Sequence, residues 1–277
     1  MKVAAYQTPL SATSSMAVIE LIRQQVDYCE SQGVEILCCP EGVLGGLADY
    51  TDPPAGIAIN VESRQLQALL APLASDKVAT ILGFTEIDRG GRLYNSAAVF
   101  HKGTVTGIYR KLYPAINRSV YQAGDQMPVF TIGDLTFGII ICLDSNYYEP
   151  ARIMASCGAA ALFVPTNNGL PIKKGGPELV TLARNTDIAR AIENHVSIIR
   201  ADVAGHTESL TSYGASGIID PDGMVLQSAQ QLESDLLIAD IETNPRKHRR
   251  EWNASKNSAV MDEYIRLITG KQTETEE

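Results

Sequence analysis

Long apolar runs are missing from this sequence. No stretch approaches the roughly 18 consecutive apolar residues that a membrane-spanning helix needs. The first ten residues, MKVAAYQTPL, reach Gln7 and Pro9 too early to contain the apolar region of a signal peptide. We therefore expect a protein without a membrane segment or a secretion signal.

Cysteine is scarce, and its spacing is unlike that of a metal site. Five cysteines stand at positions 29, 38, 39, 142 and 157, and two of them are adjacent. An odd number at no ligand spacing is typical of free thiols in a reducing compartment. The pattern predicts a cytoplasmic protein and no bound metal.

Positive charge is also in the minority. Lysine and arginine number 23 against 32 aspartates and glutamates, which gives a net charge of −9. This balance argues against a surface for nucleic acid or anionic membranes. The one basic cluster, residues 246–250, is followed at once by Glu251, so we interpret it as a solvated or subunit-facing segment.

What is present is an alternation of strand and helix patterns, which is typical of an α/β fold. With 277 residues, the chain can bury a large core as one domain or as two tightly joined halves. We predict a catalytic domain at 1–245 and a C-terminal helical extension and tail at 246–277. The predicted helices are 14–31, 63–73, 149–157 and 179–194. The predicted strands are 2–7, 36–39, 79–87, 94–100, 105–110, 137–142, 161–164, 197–203, 215–219, 224–227 and 236–241.

One predicted strand ends at a cysteine. Residues 137–141 are apolar or glycine, and Cys142 follows them directly. Ligands of open α/β sheets bind outside the carboxyl ends of the strands, so a thiol at this place reaches a cleft. The alternative is that Cys142 is a small buried hydrophobic residue, as free cysteines often are.

A weak internal duplication relates two parts of the chain. Residues 29–40 and 157–165 each run from a helix end through a glycine into a strand and a proline. The glycine-to-proline spacing is seven residues in both, from Gly33 to Pro40 and from Gly158 to Pro165. The repeat predicts that Glu41 and residues 166–168 occupy corresponding strand ends.

Three ionisable residues, Glu41, Lys111 and Cys142, lie at or just beyond predicted strand ends. A carboxylate can accept the proton of a thiol, and an ammonium can stabilise a developing oxyanion. Each residue also has an ordinary explanation: a turn acid, a strand-end lysine with a solvated head, and a core cysteine. These residues are too far apart in the sequence to form a local motif. That they lie together in the folded protein is therefore a hypothesis about the tertiary structure.

Six short motifs, in order, resemble the nitrilase, or carbon–nitrogen hydrolase, superfamily from Lys2 to about Ile241. They are Cys39-Pro40-Glu41, residues 94–99 (YNSAAV), residues 109–112 (YRKL), residues 138–144 (GIIICLD) with Glu149, residues 189–194 (ARAIEN) and residues 213–216 (YGAS). The resemblance implies a catalytic triad of Glu41, Lys111 and Cys142, with the backbone N–H of Leu143 helping Lys111 to bind the oxyanion. It also implies a four-layer α-β-β-α sandwich that pairs into an eight-layer homodimer, with no metal or organic cofactor. In that dimer we place residues 246–277 at the subunit interface.

The chain departs from the family pattern at one position. The family usually carries a second glutamate shortly after the lysine, whereas residues 115–124 contain no acid and Asn117 occupies the most similar position. An amide can hydrogen-bond to a lysine but adds no negative charge. This substitution puts full catalytic activity in doubt.

The residues after the cysteine indicate the substrate class. Leu143-Asp144 resembles the amidase and carbamoylase branches, whereas true nitrilases tend to carry Trp-Glu there. Six polar, neutral residues flank the three strand ends and are candidates for substrate binding or for positioning the site. They are Tyr50, Tyr113, Asn146, Tyr147, Asn167 and Asn168.

The sequence thus predicts a hydrolase that cleaves an amide or a carbamoyl amine through a Cys142 thioester and releases ammonia or an amine. Two alternatives stay open. One is a catalytically weakened protein that binds small molecules on the same scaffold, and the other is a nitrile hydrolase.

Overall fold

The structure is a computed structural model that describes residues 1–13, 15–116, 118–244 and Arg266. Residues Met1–Pro245 form one compact unit, which contains every element described below. No helix in the described ranges is both long and apolar enough to cross a membrane. The predicted C-terminal extension lies outside the described residues, apart from Arg266.

Three of the four α-helices in the described part of this unit bury an apolar face, whereas the last buries Asp187, Ala191 and Asn194. In chain order the four helices are α1 (Val18–Ser31), α2 (Gln65–Leu70), α3 (Tyr148–Ser156) and α4 (Glu178–Asn194). Helix α1 buries Val18, Ile22 and Val26, which recur with helical spacing. It ends where Gly33 adopts a φ of 71°, a left-handed conformation that suits glycine. Short 3₁₀ helices cover Leu10–Ala12, Ala48–Tyr50, Pro54–Ile57, Ala71–Leu73 and Cys142–Asn146.

The strands form two sheets. In chain order they are β1 (Lys2–Pro9), β2 (Ile36–Cys38), β3 (Ile59–Asn60), β4 (Ala79–Ile87), β5 (Leu93–His101), β6 (Thr104–Arg110), β7 (Tyr121–Gln122), β8 (Val129–Ile132), β9 (Leu135–Ile139), β10 (Ala161–Pro165), β11 (Leu170–Pro171), β12 (Ser197–Ala201), β13 (Val203–His206), β14 (Leu210–Ser212), β15 (Gly217–Ile219), β16 (Val225–Ser228) and β17 (Asp235–Asp240). The first sheet has the order β11-β14-β13-β1-β2-β4-β5-β6, and β17, β3 and β7 pair with β1, β4 and β5. The second sheet has the order β16-β15-β12-β10-β9-β8.

Parallel strands at the centre of each sheet align the ends that carry the candidate site. In the first sheet β1, β2 and β4 run parallel, and in the second β9, β10 and β12 do so. Because the carboxyl ends of parallel strands meet at one edge of a sheet, each sheet collects its own strand ends there. The ends of β2 and β10, which belong to different sheets, meet where the sheets pack together, and Glu41 N donates to Thr166 O (3.3 Å).

Alternating side chains pack the first sheet on both faces. Val3 of β1 shares one apolar cluster with Phe137 of β9, so the two sheets contact each other through that face. Ala4, the next residue of β1, joins a second cluster with Ile22 of α1. Successive residues of a strand point to opposite faces, which is why neighbours in sequence enter different clusters. The predicted α/β class is confirmed, and the four-layer order and eight-layer dimer stay predictions.

Two of the predicted strands end earlier than expected. The strand expected at 137–142 stops at Ile139, and Cys142 begins a 3₁₀ helix instead. The carboxylate of Asp144 accepts a hydrogen bond from the backbone N–H of Ile141 (3.0 Å), and this bond turns the chain away from the sheet. The strand expected at 197–203 divides at Asp202, whose backbone N–H bonds to the Ser216 hydroxyl (2.8 Å) rather than to a strand.

Candidate active site

Glu41 is held against the first sheet by a glycine. It follows β2, and the carbonyl of Pro40 accepts a hydrogen bond from the backbone N–H of Gly83 on β4 (3.1 Å). A Cβ atom at Gly83 would lie 2.6 Å from the Cα atom of Glu41, which is closer than real contacts allow. Glycine is therefore required at this position so that the chain carrying Glu41 can lie on β4.

The Glu41 carboxylate has three donors around it. Its Oε1 atom accepts hydrogen bonds from Lys111 Nζ (2.5 Å) and Asn95 Nδ2 (2.7 Å), and its Oε2 atom accepts one from the backbone N–H of Asn167 (3.0 Å). Glu41 and Lys111 are both only 2% exposed. Because these three donors bind both oxygens of the Glu41 carboxylate, they fix its orientation as well as its position.

Lys111 carries a stable positive charge in this pocket. Burial, the largest single cause, acts to lower the pKa of Lys111, but the negative charge of Glu41, its hydrogen bond and the charges of Cys142 and Asp144 together outweigh burial and raise the pKa. Its backbone is tied to the sheet, since Lys111 N donates to Asn95 O (2.8 Å) and Gly124 N donates to Lys111 O (2.8 Å). A charged ammonium thus lies beside the carboxylate in a dry site.

Cys142 occupies a strained turn at the edge of the same site. Its φ is 48°, a left-handed value that is uncommon for residues other than glycine. Such strain, which costs on the order of 1–3 kcal/mol, persists only where the surroundings hold the backbone in place. Here Ser145 Oγ donates to the carbonyl of Cys142 (2.8 Å). The side chain is partly buried and packs against the main apolar cluster.

The Cys142 thiol is protonated at neutral pH. Burial and, to a smaller extent, the negative charge of Glu41 raise its pKa, and the net result is a pKa of about 12. The positive charges of Lys111 and Arg200 act in the opposite direction but do not cancel the rise. A thiol in this state would need a base in order to act as a nucleophile, and Glu41 is a carboxylate whose charge acts on it.

This protonation state can be measured. We expect the ultraviolet absorbance difference between the wild type and Cys142→Ala to show almost no thiolate at pH 9.0, where half of an ordinary cysteine is ionised. The thiolate should appear only toward pH 12, because burial and Glu41 both disfavour the charged form. A midpoint at or below 9.0 would instead show that Lys111 and Arg200 control the thiol.

Asp144 joins the chain that carries Lys111 to the turn that carries Cys142. It is fully buried, and its oxygens accept hydrogen bonds from the Tyr109 hydroxyl (2.7 Å) and from the backbone N–H groups of Tyr113 (2.9 Å) and Ile141 (3.0 Å). Burial raises the pKa of Asp144, and the charge of Lys111 and these donors limit the rise. One carboxylate thus connects two segments that are 31 residues apart in the sequence.

A second buried ion pair supports the Cys142 turn from the other side. Arg200 on β12 pairs with Asp187 on α4, and both side chains are at most 3% exposed. The same guanidinium donates to Ser145 Oγ (2.9 Å), whose hydroxyl holds the Cys142 carbonyl. Arg190 of α4, whose side chain is mostly buried, donates to the carbonyl of Ser145 (2.9 Å). The shape of the turn therefore depends on α4 and β12.

Breaking this pair should destabilise the protein. We expect Asp187→Asn to lower the free energy of unfolding by about 3–5 kcal/mol, because the Arg200 charge stays buried without its partner. The midpoint of urea denaturation measures the loss. Glu193→Gln is the control on the same helix, since it breaks a half-exposed pair with Arg190 and should change stability little. Equal effects of both variants would contradict the importance of burial.

The predicted duplication places its two strand ends side by side. Glu41 N donates to Thr166 O (3.3 Å), and Asn167 Nδ2 donates to Glu41 O (3.3 Å). Asn168 points elsewhere: its backbone N–H and its Nδ2 both bind the buried carboxylate of Asp202 (3.0 and 2.8 Å). Of these two candidate residues, only Asn167 bonds to Glu41.

The remaining described candidates are partly or largely exposed to solvent. Tyr113 stacks on Tyr147 with ring centroids 3.8 Å apart, and Tyr147 and Tyr50 are 41% and 44% exposed. Asn146 is exposed, and its carbonyl accepts a hydrogen bond from Arg190 (3.1 Å). The structure does not describe Asn117, so the proposed place of the missing glutamate is outside the described residues. The binding roles of all these residues stay predictions.

Several residues that shape the candidate site are not identified as such by the sequence, because their partners are distant in the chain. They are Asn95, Tyr109, Asp144, Asp187, Arg200 and Asp202. The available signal was polarity in an apolar context: Asn95 and Arg200 each interrupt a buried strand. A polar residue inside a strand that is otherwise apolar needs a buried partner, and that requirement identifies it as a site candidate.

A buried carboxylate and ammonium lie beside a cysteine on a mixed α/β fold. Comparison with known proteins names the family. The model of the carbon-nitrogen hydrolase family matches residues 2–250. An (R)-stereoselective amidase from Pseudomonas sp. is 29% identical over 243 residues, which cover 87% of this chain and 83% of the amidase. A nitrilase from Pyrococcus abyssi is 28% identical over 220 residues, which cover 78% of this chain and 80% of the nitrilase.

Solved structures agree with the fold. The crystal structure of a carbon-nitrogen hydrolase from Helicobacter pylori G27 superposes with a TM-score of 0.83 at 20% identity, over 97% of this chain and 98% of the other. The chain therefore belongs to the carbon-nitrogen hydrolase family, within the nitrilase superfamily, and it is amidase-like. Among the described residues, no group of three or more histidine, cysteine or acidic side chains is arranged to hold a metal ion.

Proposed function

We propose that the protein hydrolyses a non-peptide C–N bond, in an amide or a carbamoyl amine, through a thioester on Cys142. The observation that carries this proposal is the buried contact between Glu41 and Lys111 next to a protonated thiol. An isolated buried ion pair has little value for stability, because desolvation offsets the Coulomb attraction. A charge pair placed beside a nucleophile has an evident chemical use.

The first half of the reaction forms the thioester. Glu41 takes the proton from the Cys142 thiol as the sulfur attacks the carbonyl carbon of the substrate. The carbonyl oxygen becomes an oxyanion, which Lys111 Nζ and the backbone N–H of Leu143 stabilise. The C–N bond then breaks, and Glu41 returns the proton to the departing ammonia or amine. A single carboxylate serves as base and then as acid.

The second half releases the acid product. Glu41 takes a proton from water, whose oxygen attacks the thioester carbonyl. The C–S bond breaks, and the Cys142 sulfur recovers its proton from Glu41 as the carboxylic acid leaves. For a carbamoyl amine, the same steps give a carbamic acid. The hydrogen bonds from Asn95 and Asn167 keep the carboxylate aimed at the site throughout.

Ammonia release from a panel of small amides, carbamoyl amines and nitriles tests the proposal. We expect amides or carbamoyl amines to be cleaved and nitriles to be poor substrates. Nitriles cleaved faster than their matched amides would favour the nitrilase alternative. No release from any class would favour the binding protein, and Asn117→Glu would then show whether the missing carboxylate is the cause.

A further inference from the structure

A cavity of about 130 Å³ lies beside the loop that follows Glu41. Three leucines, three threonines, three glycines, Tyr50 and Asn167 line it. Asn167 connects it to the candidate active site, since its backbone N–H donates to Glu41 (3.0 Å). Tyr50, in the loop that follows Glu41, lines the same space, so one wall of the cavity is built by the segment that carries the carboxylate. The cavity therefore adjoins the reacting groups.

The three threonine hydroxyls and the Asn167 side-chain amide of the cavity wall already have partners in the protein, which leaves the Tyr50 hydroxyl as the side-chain polar group of the described lining residues that can face a ligand. Each threonine hydroxyl bonds to the backbone of a lining leucine. The pairs are Thr13 with Leu10 (2.9 Å), Thr51 with Leu47 (3.0 Å) and Thr207 with Leu210 (3.0 Å). The side-chain amide of Asn167 bonds to Glu41 O (3.3 Å) and Gly169 N (3.0 Å). Few groups remain to replace the water around a polar ligand.

None of the described residues that line the cavity carries a formal charge. A carboxylate or an ammonium that entered would lose its hydration and find no opposite charge in the wall, which is costly. An apolar group would lose nothing and would gain contacts with the leucines. The wall thus selects against charged tails, including that of an amide with a free amino acid group.

The volume limits the size of the occupant. An apolar cavity of about 150 Å³ is large enough for a benzene molecule, whereas whole-ligand pockets begin near about 300 Å³. A space of about 130 Å³ therefore accommodates one substituent rather than a whole substrate. The substituent can therefore contain roughly four to six carbon atoms at most.

Provided that the proposed hydrolase function holds, we propose that this cavity binds an uncharged, apolar substituent of the scissile amide, of phenyl size or smaller. The substituent is carried either by the acyl carbon or by the amide nitrogen. Both sources share the chemistry that the wall recognises, and the experiment below distinguishes them.

The test uses two series of amides. One consists of primary amides with acyl groups from acetyl to benzoyl, and the other consists of acetamides with nitrogen substituents of the same sizes. Each apolar compound is paired with a carboxylate of matched size, and kcat/KM is measured for both. In one of the two series, we expect kcat/KM of the apolar member to exceed that of its carboxylate counterpart by at least about tenfold, which is the discrimination typical of a hydrophobic pocket.

Substitutions at Leu210 connect the preference to the cavity. Leu210→Trp fills the space and should reduce the apolar preference to near one, whereas Leu210→Ala enlarges it and should shift the preference to larger substituents. Leu226→Trp is the matched control, because Leu226 is 38% exposed on β16 and lies away from the cavity. A preference unchanged in both Leu210 variants, or carboxylates cleaved as well as apolar amides, would overturn the proposal.

A second readout separates this proposal from the hydrolase function. Chloroacetamides with apolar or carboxylate nitrogen substituents, and 2-chloroamides with the same groups on the acyl chain, alkylate Cys142 without turnover, and exposed Cys157 is the internal control. Faster labelling by apolar reagents that Leu210→Trp abolishes would support the cavity even if no amide is hydrolysed. Turnover without any such preference would support the hydrolase and overturn the cavity assignment. If the protein shows no amide turnover and no labelling preference, both the hydrolase function and the cavity assignment are overturned.

Discussion

Cys142→Ala is expected to reduce turnover of the best substrate to below about 1% of the wild-type rate while leaving the fold intact. The thioester cannot form without the sulfur, and no other thiol can replace it. Cys29, Cys38 and Cys39 are fully buried, and Cys157 is exposed at the end of α3, outside the site. Ammonia release measures the activity, and circular dichroism with the urea midpoint measures the fold.

The matched control is Cys157→Ala, which removes an exposed thiol and should keep the wild-type rate. Residual turnover of Cys142→Ala well above about 1%, in protein shown by mass spectrometry to be free of wild type, would exclude the thiol mechanism. Loss of activity in both variants would point to a general effect of removing thiols.

Glu41→Gln is expected to change activity and thiol ionisation in opposite directions. Turnover should fall by about 10²–10⁴, the usual contribution of a general acid–base group. The pKa of Cys142 should fall as well, because the negative charge of Glu41 is one of the causes that raise it. Removing that charge leaves Lys111 free to stabilise the thiolate instead. The variant should therefore hold more thiolate and yet be less active.

The two readouts are kcat from ammonia release and the thiolate titration described above. Glu86→Gln is the control, since Glu86 is another fully buried acid, paired with Arg110 on the same sheet, and it should not move the titration. If the thiolate midpoint of Glu41→Gln stays at the wild-type value, the Glu41 charge does not face the sulfur. If turnover also survives, Glu41 is not the base.

Much of the fold was predictable from local patterns. The strand predicted at 79–87 is β4 with the same bounds, and the helix predicted at 179–194 differs from α4 by one residue. Both segments are long, so the preferences of many residues outweigh local exceptions. Short strands such as β7 and β11 were missed, because two residues carry no periodicity.

The candidate site was partly predictable. Glu41 and Lys111 were grouped because each follows a strand, and in the structure they form a direct ion pair. The neighbours that orient them were not found. Asn95 is separated from Glu41 by 54 residues and Asn167 by 126, so no sequence window contains both partners of either bond.

The sequence by itself determined the α/β class, the strands that end near the site and the three ionisable groups placed at those ends. Apolar periodicity and turn residues act over a few neighbouring positions, and these local preferences are readable without a structure. The tertiary structure alone decided the left-handed turn at Cys142, the cage around Asp144 and the uncharged cavity beside Asn167. Each of these depends on hydrogen bonds or packing between segments far apart in the chain, whose geometry exists only after the sheets have assembled.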